Sequence, residues 1–204
     1  MARLPDMAFR VALTFDAEHP DRPTTPGVQE RLLDILDREA VRATFFVQGR
    51  WAEAYPATGA RIATAGHLIG SHSHYHAEMP HLSDEGLRFD IETARDRVAQ
   101  ATGVDPLPYF RCPFGVGFDD PRVLGALDAQ GFRNYMWDVE ALDWDHARTA
   151  AQVAEDIVTP TLAHGDGCVV LLHTWPDRTE GALPGIVARL RDAGAVFVRL
   201  DELE

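Results

Sequence analysis

Phe9-Arg10-Val11-Ala12-Leu13-Thr14-Phe15 runs straight into Asp16-Ala17-Glu18-His19. An apolar run of this length reads as a buried strand, and the polar tail reads as the loop at its carboxyl end. The same grammar recurs down the chain. Residues 43–47 read as a second strand and 67–70 as a third, which leads into Ser71-His72-Ser73-His74-Tyr75-His76. Residues 107–111 form a fourth, followed by Cys112-Pro113-Phe114-Gly115. Residues 132–139 read as a fifth, with Glu140, Asp143 and Trp144 just beyond. Residues 168–172 read as a sixth, ending at His173 and Trp175, and 195–200 as a seventh.

Helical patterns fill the gaps. Pro26 opens one whose apolar stripe is Val28, Leu32, Leu33, Ile35 and Leu36. A short one covers 59–65 and stops at Gly66. Ser83 is an N-cap with Asp84 and Glu85 in the first turn, and that helix runs to Gly103. Others start at Asp120-Pro121, at Thr149 and at Leu183-Pro184. Strands alternating with helices predict parallel βα units. No GxGxxG loop follows any strand, so the expected fold is an α/β barrel of about seven parallel strands rather than a dinucleotide-binding sheet. An open doubly wound sheet is the competing topology.

At 204 residues, 46% of them hydrophobic, the expectation is a single domain over residues 1–204 with a full core. The net charge of −13 argues against nucleic acid or an anionic membrane as partner. No run is long enough to span a membrane. Met1-Ala2-Arg3-Leu4-Pro5 leads into the first strand without a secretory segment, which reads as cytoplasmic, or as secreted if a removed signal came before. Cys112 and Cys168 are too few for a disulfide framework. Oligomeric state is not legible.

The polar residues fall at strand ends, where parallel α/β barrels build their active sites. His72 and His76 are four apart; on a helical turn that spacing sets two imidazoles side by side, as two ligands of a zinc-type site.

Five segments, in order, carry a resemblance: Thr14-Phe15-Asp16; His72-Ser73-His74-Tyr75-His76, matching His-Ser-x-x-His; Arg111-Cys112-Pro113-Phe114-Gly115, matching Arg-x-Pro-Tyr/Phe-Gly; Glu140-Ala141-Leu142-Asp143-Trp144, matching Asp-x-x-Asp-Trp; and Leu171-Leu172-His173, matching Leu-x-His. Over residues 9–200 the chain resembles the polysaccharide deacetylases of the nodulation-protein-B type, carbohydrate esterase family 4. That resemblance implies a distorted (β/α) barrel and a divalent metal, usually zinc, with cobalt or nickel as alternatives. It implies removal of N-acetyl groups from N-acetylglucosamine-type oligosaccharides or related amino sugars, giving acetate and a free amine.

The resemblance also assigns roles. His72 and His76 bind metal. Asp16 is the general base, held by Arg111, and His173 is the general acid. The oxyanion is held by the metal and a backbone N–H near Phe114. Glu140 orients Arg111 or His173. Asp143 and Trp144 shape the substrate wall, and Trp175 is a second face for sugar stacking. Cys112 is expected to be a small buried residue, and His74 exposed or on the substrate.

The chain departs from the family at Ala17, where a second aspartate usually binds metal. Glu18 is the expected carboxylate ligand, with His19 as the alternative. That departure keeps a second reading open, a metal-dependent amidase on a small non-sugar or cyclic amide. A third is a non-catalytic carbohydrate-binding domain.

Overall fold

The computed structural model describes residues 8–203, so the Met1–Pro5 lead lies outside the described residues. The chain folds as two compact units interleaved in sequence. The first takes residues up to Thr14, Thr25–Ala43 and those from Trp137 onward; the second takes Phe15–Thr24 and Thr44–Met136. Strand β1 (Phe9–Ala17) runs through both.

In the first unit the start of β1 pairs in parallel with β8 (Ala195–Phe197), from Phe9 to Val11. On its other side come β7 (Cys168–His173) and then β6 (Val139–Glu140), also parallel to each other. The buried Thr14 hydroxyl donates to the Val170 carbonyl at 2.7 Å. Helix α7 (Asp177–Asp192) packs on α1 (Val28–Arg38) and α6 (Ala150–His164). The α1 stripe of Val28, Leu32, Leu33, Ile35 and Leu36 is buried as its spacing predicts. A reciprocal capping box between Thr149 and Gln152 starts α6.

In the second unit the end of β1 is followed by β2 (Thr44–Val47), β3 (Leu68–Ser71), β4 (Tyr109–Phe110) and β5 (Arg133–Asn134), in that order. The pairings from β2 to β5 are parallel. Helices α2 (Gly49–Ala54), α3 (Pro56–Thr64), α4 (Asp84–Thr102) and α5 (Pro121–Asp128) complete it. The Ser83 hydroxyl accepts the Gly86 N–H, and α4 closes on left-handed Gly103, as read from the sequence. Met79, Leu87, Ile91, Phe110, Cys112, Val123, Leu127 and Phe132 form one core.

Three expectations need correction. The fifth strand, expected over 132–139, is two pieces, β5 and β6, with different partners. Between them the carbonyls of Tyr135 and Met136 turn to the Arg111 guanidinium and so are not free for a ladder. Helix α2 was not expected at all. Helix α7 starts at Asp177, ahead of Leu183, and carries Pro184 inside it; the acids Asp177 and Glu180 occupy its first turn. No helix among the described residues is long and apolar enough to cross a membrane.

Candidate active site

The histidine loop follows β3 in the second unit. It is not helical, which corrects the helical-turn expectation. Ser73 (φ 63°) and His76 (φ 58°) are both left-handed, and these two reversals bring the imidazoles of His72 and His76 together. Such a conformation costs a non-glycine residue about 1 kcal/mol or more, so it must be held. Asp90 of α4, buried at 2% exposure, accepts the N–H groups of His74 (3.1 Å) and Tyr75 (2.9 Å). Gly49 and Arg50, opening α2, donate to the carbonyls of Ser73 and His74. The Ser73 hydroxyl accepts the His76 N–H at 3.0 Å. His74 is buried against Gly49, where a Cβ would strike its ring. It is therefore neither exposed nor placed for substrate, and burial pushes its imidazole pKa down.

Side chains alternate along a strand, so Asp16 and Glu18 leave the end of β1 on one side and Ala17 on the other. Glu18 Oε2 lies 3.2 Å from His72 Nε2 and in close contact with His76 Nε2. His19 Nε2 lies 3.0 Å from Glu18 Oε1, a supporting contact to the carboxylate. Asp16 Oδ2 is 3.5 Å from His72 Nε2.

The tautomer of His72 makes this arrangement informative. Its Nδ1 faces the Arg111 carbonyl at 2.8 Å, and a carbonyl can only accept, so Nδ1 carries the hydrogen. A neutral His72 then turns a bare Nε2 lone pair toward two carboxylates. Three electron-pair donors facing one point require a cation. Burial alone would lower the His72 pKa, but Asp16 and Glu18 outweigh it and raise it. For His76 burial prevails over Glu18 and lowers it. The donor atoms of Glu18, His72 and His76 all lie within 4.8 Å of one another, and all three residues are buried. The carboxylate and imidazole set, with His72 fixed from behind by a carbonyl, fits a divalent metal.

Arg111 is fully buried. Its Nη1 donates to Asp16 Oδ1 at 2.8 Å, Nε to the Tyr135 carbonyl at 3.2 Å and Nη2 to the Met136 carbonyl at 3.4 Å. The guanidinium lies 4.0 Å over the Phe46 ring. Asp16 is thus pinned by one oxygen, leaving the other on the His72 side. Burial pushes the Cys112 thiol up to about 12, and it is a core residue as expected. Phe114 (φ 58°) is 58% exposed and meets His76 edge-on at 4.4 Å.

The first unit holds a second cluster. His173 Nδ1 lies 2.6 Å from Asp143 Oδ1, while Asp143 Oδ2 accepts the His173 N–H (2.8 Å) and the Thr179 hydroxyl (2.6 Å). Arg178 donates to the Asp143 carbonyl at 3.0 Å. Asp143 is therefore the carboxylate that holds His173, not a substrate wall. Glu140, expected to orient His173 or Arg111, is exposed in β6. Trp175 is 5% exposed, with its ring 6.1 Å from that of His173, so it cannot offer a face for sugar stacking. Trp144 is 45% exposed and can. Sequence reasoning missed Asp90, Arg178 and Thr179. The last two lie in the first turn of α7, ahead of the helix start expected at Leu183. For Asp90 the only signal was a carboxylate on the apolar face of α4.

The polysaccharide deacetylase family model matches residues 5–135. A peptidoglycan-N-acetylglucosamine deacetylase of Bacillus cereus is 31% identical over 199 residues, 95% of this chain and 67% of the relative. A solved peptidoglycan N-acetylglucosamine deacetylase, in complex with 4-naphthalen-1-yl-N-oxidanyl-benzamide, superposes with a TM-score of 0.84 at 28% identity, over 98% of this chain and 89% of that one. A family 4 carbohydrate esterase from Streptomyces lividans, in complex with acetate, gives 0.80 at 27% identity, over 93% and 91%. The chain belongs to the polysaccharide deacetylase family, a class of metal-dependent hydrolases acting on carbon–nitrogen bonds outside peptides. Its fold class is the family's distorted (β/α) barrel.

Proposed function

We propose that this chain removes N-acetyl groups from N-acetylglucosamine-type oligosaccharides, the chemistry named for its peptidoglycan-deacetylase relative. The observation that carries the reading is the convergence of the His72 Nε2 lone pair and the carboxylates of Glu18 and Asp16 on one point. Glu18, His72 and His76 would hold a divalent cation, with zinc best suited to this donor set. That cation supplies polarisation of the amide carbonyl and a more acidic water.

The remaining work belongs to side chains. Asp16, pinned by Arg111, takes a proton from the attacking water through its second oxygen. Arg111 fixes the direction of that carboxylate through its first oxygen. His173, held through Nδ1 by Asp143, presents Nε2 and protonates the departing nitrogen, since an amine does not leave as its anion. Asp143 stabilises the imidazolium and fixes its tautomer, and Thr179 fixes Asp143. Phe114 and Trp144 offer exposed apolar faces for the acetyl methyl and a sugar ring.

Acetate release from short N-acetylglucosamine oligomers tests this, on protein stripped of metal and then given zinc. Zinc-dependent release supports the reading, and Asp16→Asn should abolish it while oligomer binding persists. No release with zinc, cobalt or nickel would move the substrate to a small non-sugar amide. Turnover by Asp16→Asn near the parent rate would remove Asp16 as the base.

A further inference from the structure

Asp138, His164 and Cys168 form a cluster in the first unit that the deacetylase chemistry does not use. His164 is the last residue of α6 and Cys168 the first of β7. The turn between them passes through Gly165 and Gly167, both at φ 85°, a conformation that side-chain-bearing residues adopt only under strain. This double reversal folds His164 back beside the start of β7. Asp138 is fixed there independently: its N–H donates to the Val169 carbonyl (2.9 Å), and its Oδ2 accepts the Val169 N–H (2.8 Å). Its other oxygen, Oδ1, stands 3.6 Å from His164 Nε2. A thiol sulfur, an imidazole nitrogen and a carboxylate oxygen therefore lie within 4.8 Å of one another. Asp138 and His164 are about 40% exposed while Cys168 is buried, so the cluster opens to solvent on one side. His173 is at the other end of β7, five residues away, or roughly 16 Å along an extended strand.

We infer that Asp138, His164 and Cys168 form a second metal site for a thiophilic divalent cation such as zinc, distinct from the catalytic trio. One sulfur, one nitrogen and one oxygen donor, with a solvent-side position for water, make a tetrahedral set. The cation would tie the end of α6 to the start of β7 and to the segment entering β6.

Cobalt(II) titration of the metal-stripped full chain reads this site alone. A sulfur-to-cobalt charge-transfer band requires a thiolate ligand; Glu18, His72 and His76 offer none, and Cys112 is sealed in the core. The parent chain should show the band saturating at one thiolate-bound cobalt per chain, and Cys112→Ser should keep it. Cys168→Ser should abolish it. His164→Ala and Asp138→Asn should each weaken binding at least tenfold, and both lie on half-exposed side chains whose replacement leaves the fold intact. Absence of the band in the parent chain overturns the inference. So does a band that His164→Ala and Asp138→Asn leave unchanged, which would mean a lone thiol taking up metal.

Discussion

Replacing Arg111 by methionine puts an uncharged chain over the Phe46 ring and removes the charge paired with Asp16. Arg111 is fully buried and the Asp16 side chain only 4% exposed, so water cannot take the guanidinium's place. Removing one partner of a buried ion pair costs about 3–5 kcal/mol, mostly as the penalty of the carboxylate left behind. The carbonyls of Tyr135 and Met136 lose their donor in the same change. At roughly 2–4 °C per kcal/mol for a chain of this size, the melting temperature should fall by about 6–20 °C. The measurement is thermal unfolding of chelated protein, because a cation held beside Asp16 would offset part of the lost charge. The double variant Asp16→Asn with Arg111→Met makes the test specific. It leaves no carboxylate to desolvate and should recover about 2 kcal/mol or more of the loss. A single-variant cost below about 1 kcal/mol, the value of an exposed pair, would refute the reasoning, as would a double variant no more stable than Arg111→Met.

Asp143→Asn can satisfy the His173 N–H and the Thr179 hydroxyl through its one oxygen, but it turns an amide N–H toward His173 Nδ1; kcat for acetate release should fall about 10–100-fold with KM little changed, the loss of one charge-assisted hydrogen bond. A kcat within twofold of the parent would show that His173 does not depend on Asp143. Gly49→Ala should destabilise the chain by about 1–3 kcal/mol and weaken zinc binding, since its Cβ would displace the His74 ring and the histidine loop with it; unchanged melting and zinc affinity would contradict that. Zinc should be released on acidification. His72 has a raised pKa in the bare protein, so protons compete for its Nε2 as pH falls through that value, and the metal holds above it. Zinc affinity measured by competition with a chelator should drop across that range, and a flat profile would remove His72 from the ligand set.

The order of elements was legible because hydrophobic runs and turn residues report it locally. The starts of α4, α5 and α6 were marked by Ser83, Asp120 and Thr149, each of which caps its helix. What local signals could not report was where short polar segments find partners. The break between β5 and β6 depends on Arg111, more than twenty residues earlier in the chain. The early start of α7 was hidden by Pro184, which looked like a first-turn proline. In the site, residue types were legible and partnerships were not. Asp143 and Glu140 are both acidic and three apart, and only the fold says that Asp143 is buried against His173 while Glu140 is exposed.

The backbone supports the same division. The non-glycine residues found at positive φ among the described residues are His19, Ala40, Ser73, His76, Phe114 and Leu142. All but Ala40 belong to or adjoin a candidate site residue, as expected where strain is held for function. The departure at Ala17 fits this pattern. On a strand of period two, Ala17 points away from the side that carries Asp16, and it is fully buried there. Glu18 returns to the Asp16 side, where its longer arm reaches both histidines, and left-handed His19 turns back to contact its other oxygen. The carboxylate has moved one residue along the chain and gained one methylene. On the proposed reading this moves the ligand rather than removing it. The two pairs that the proposed acid–base chemistry uses, Arg111–Asp16 at 2.8 Å and Asp143–His173 at 2.6 Å, are both buried.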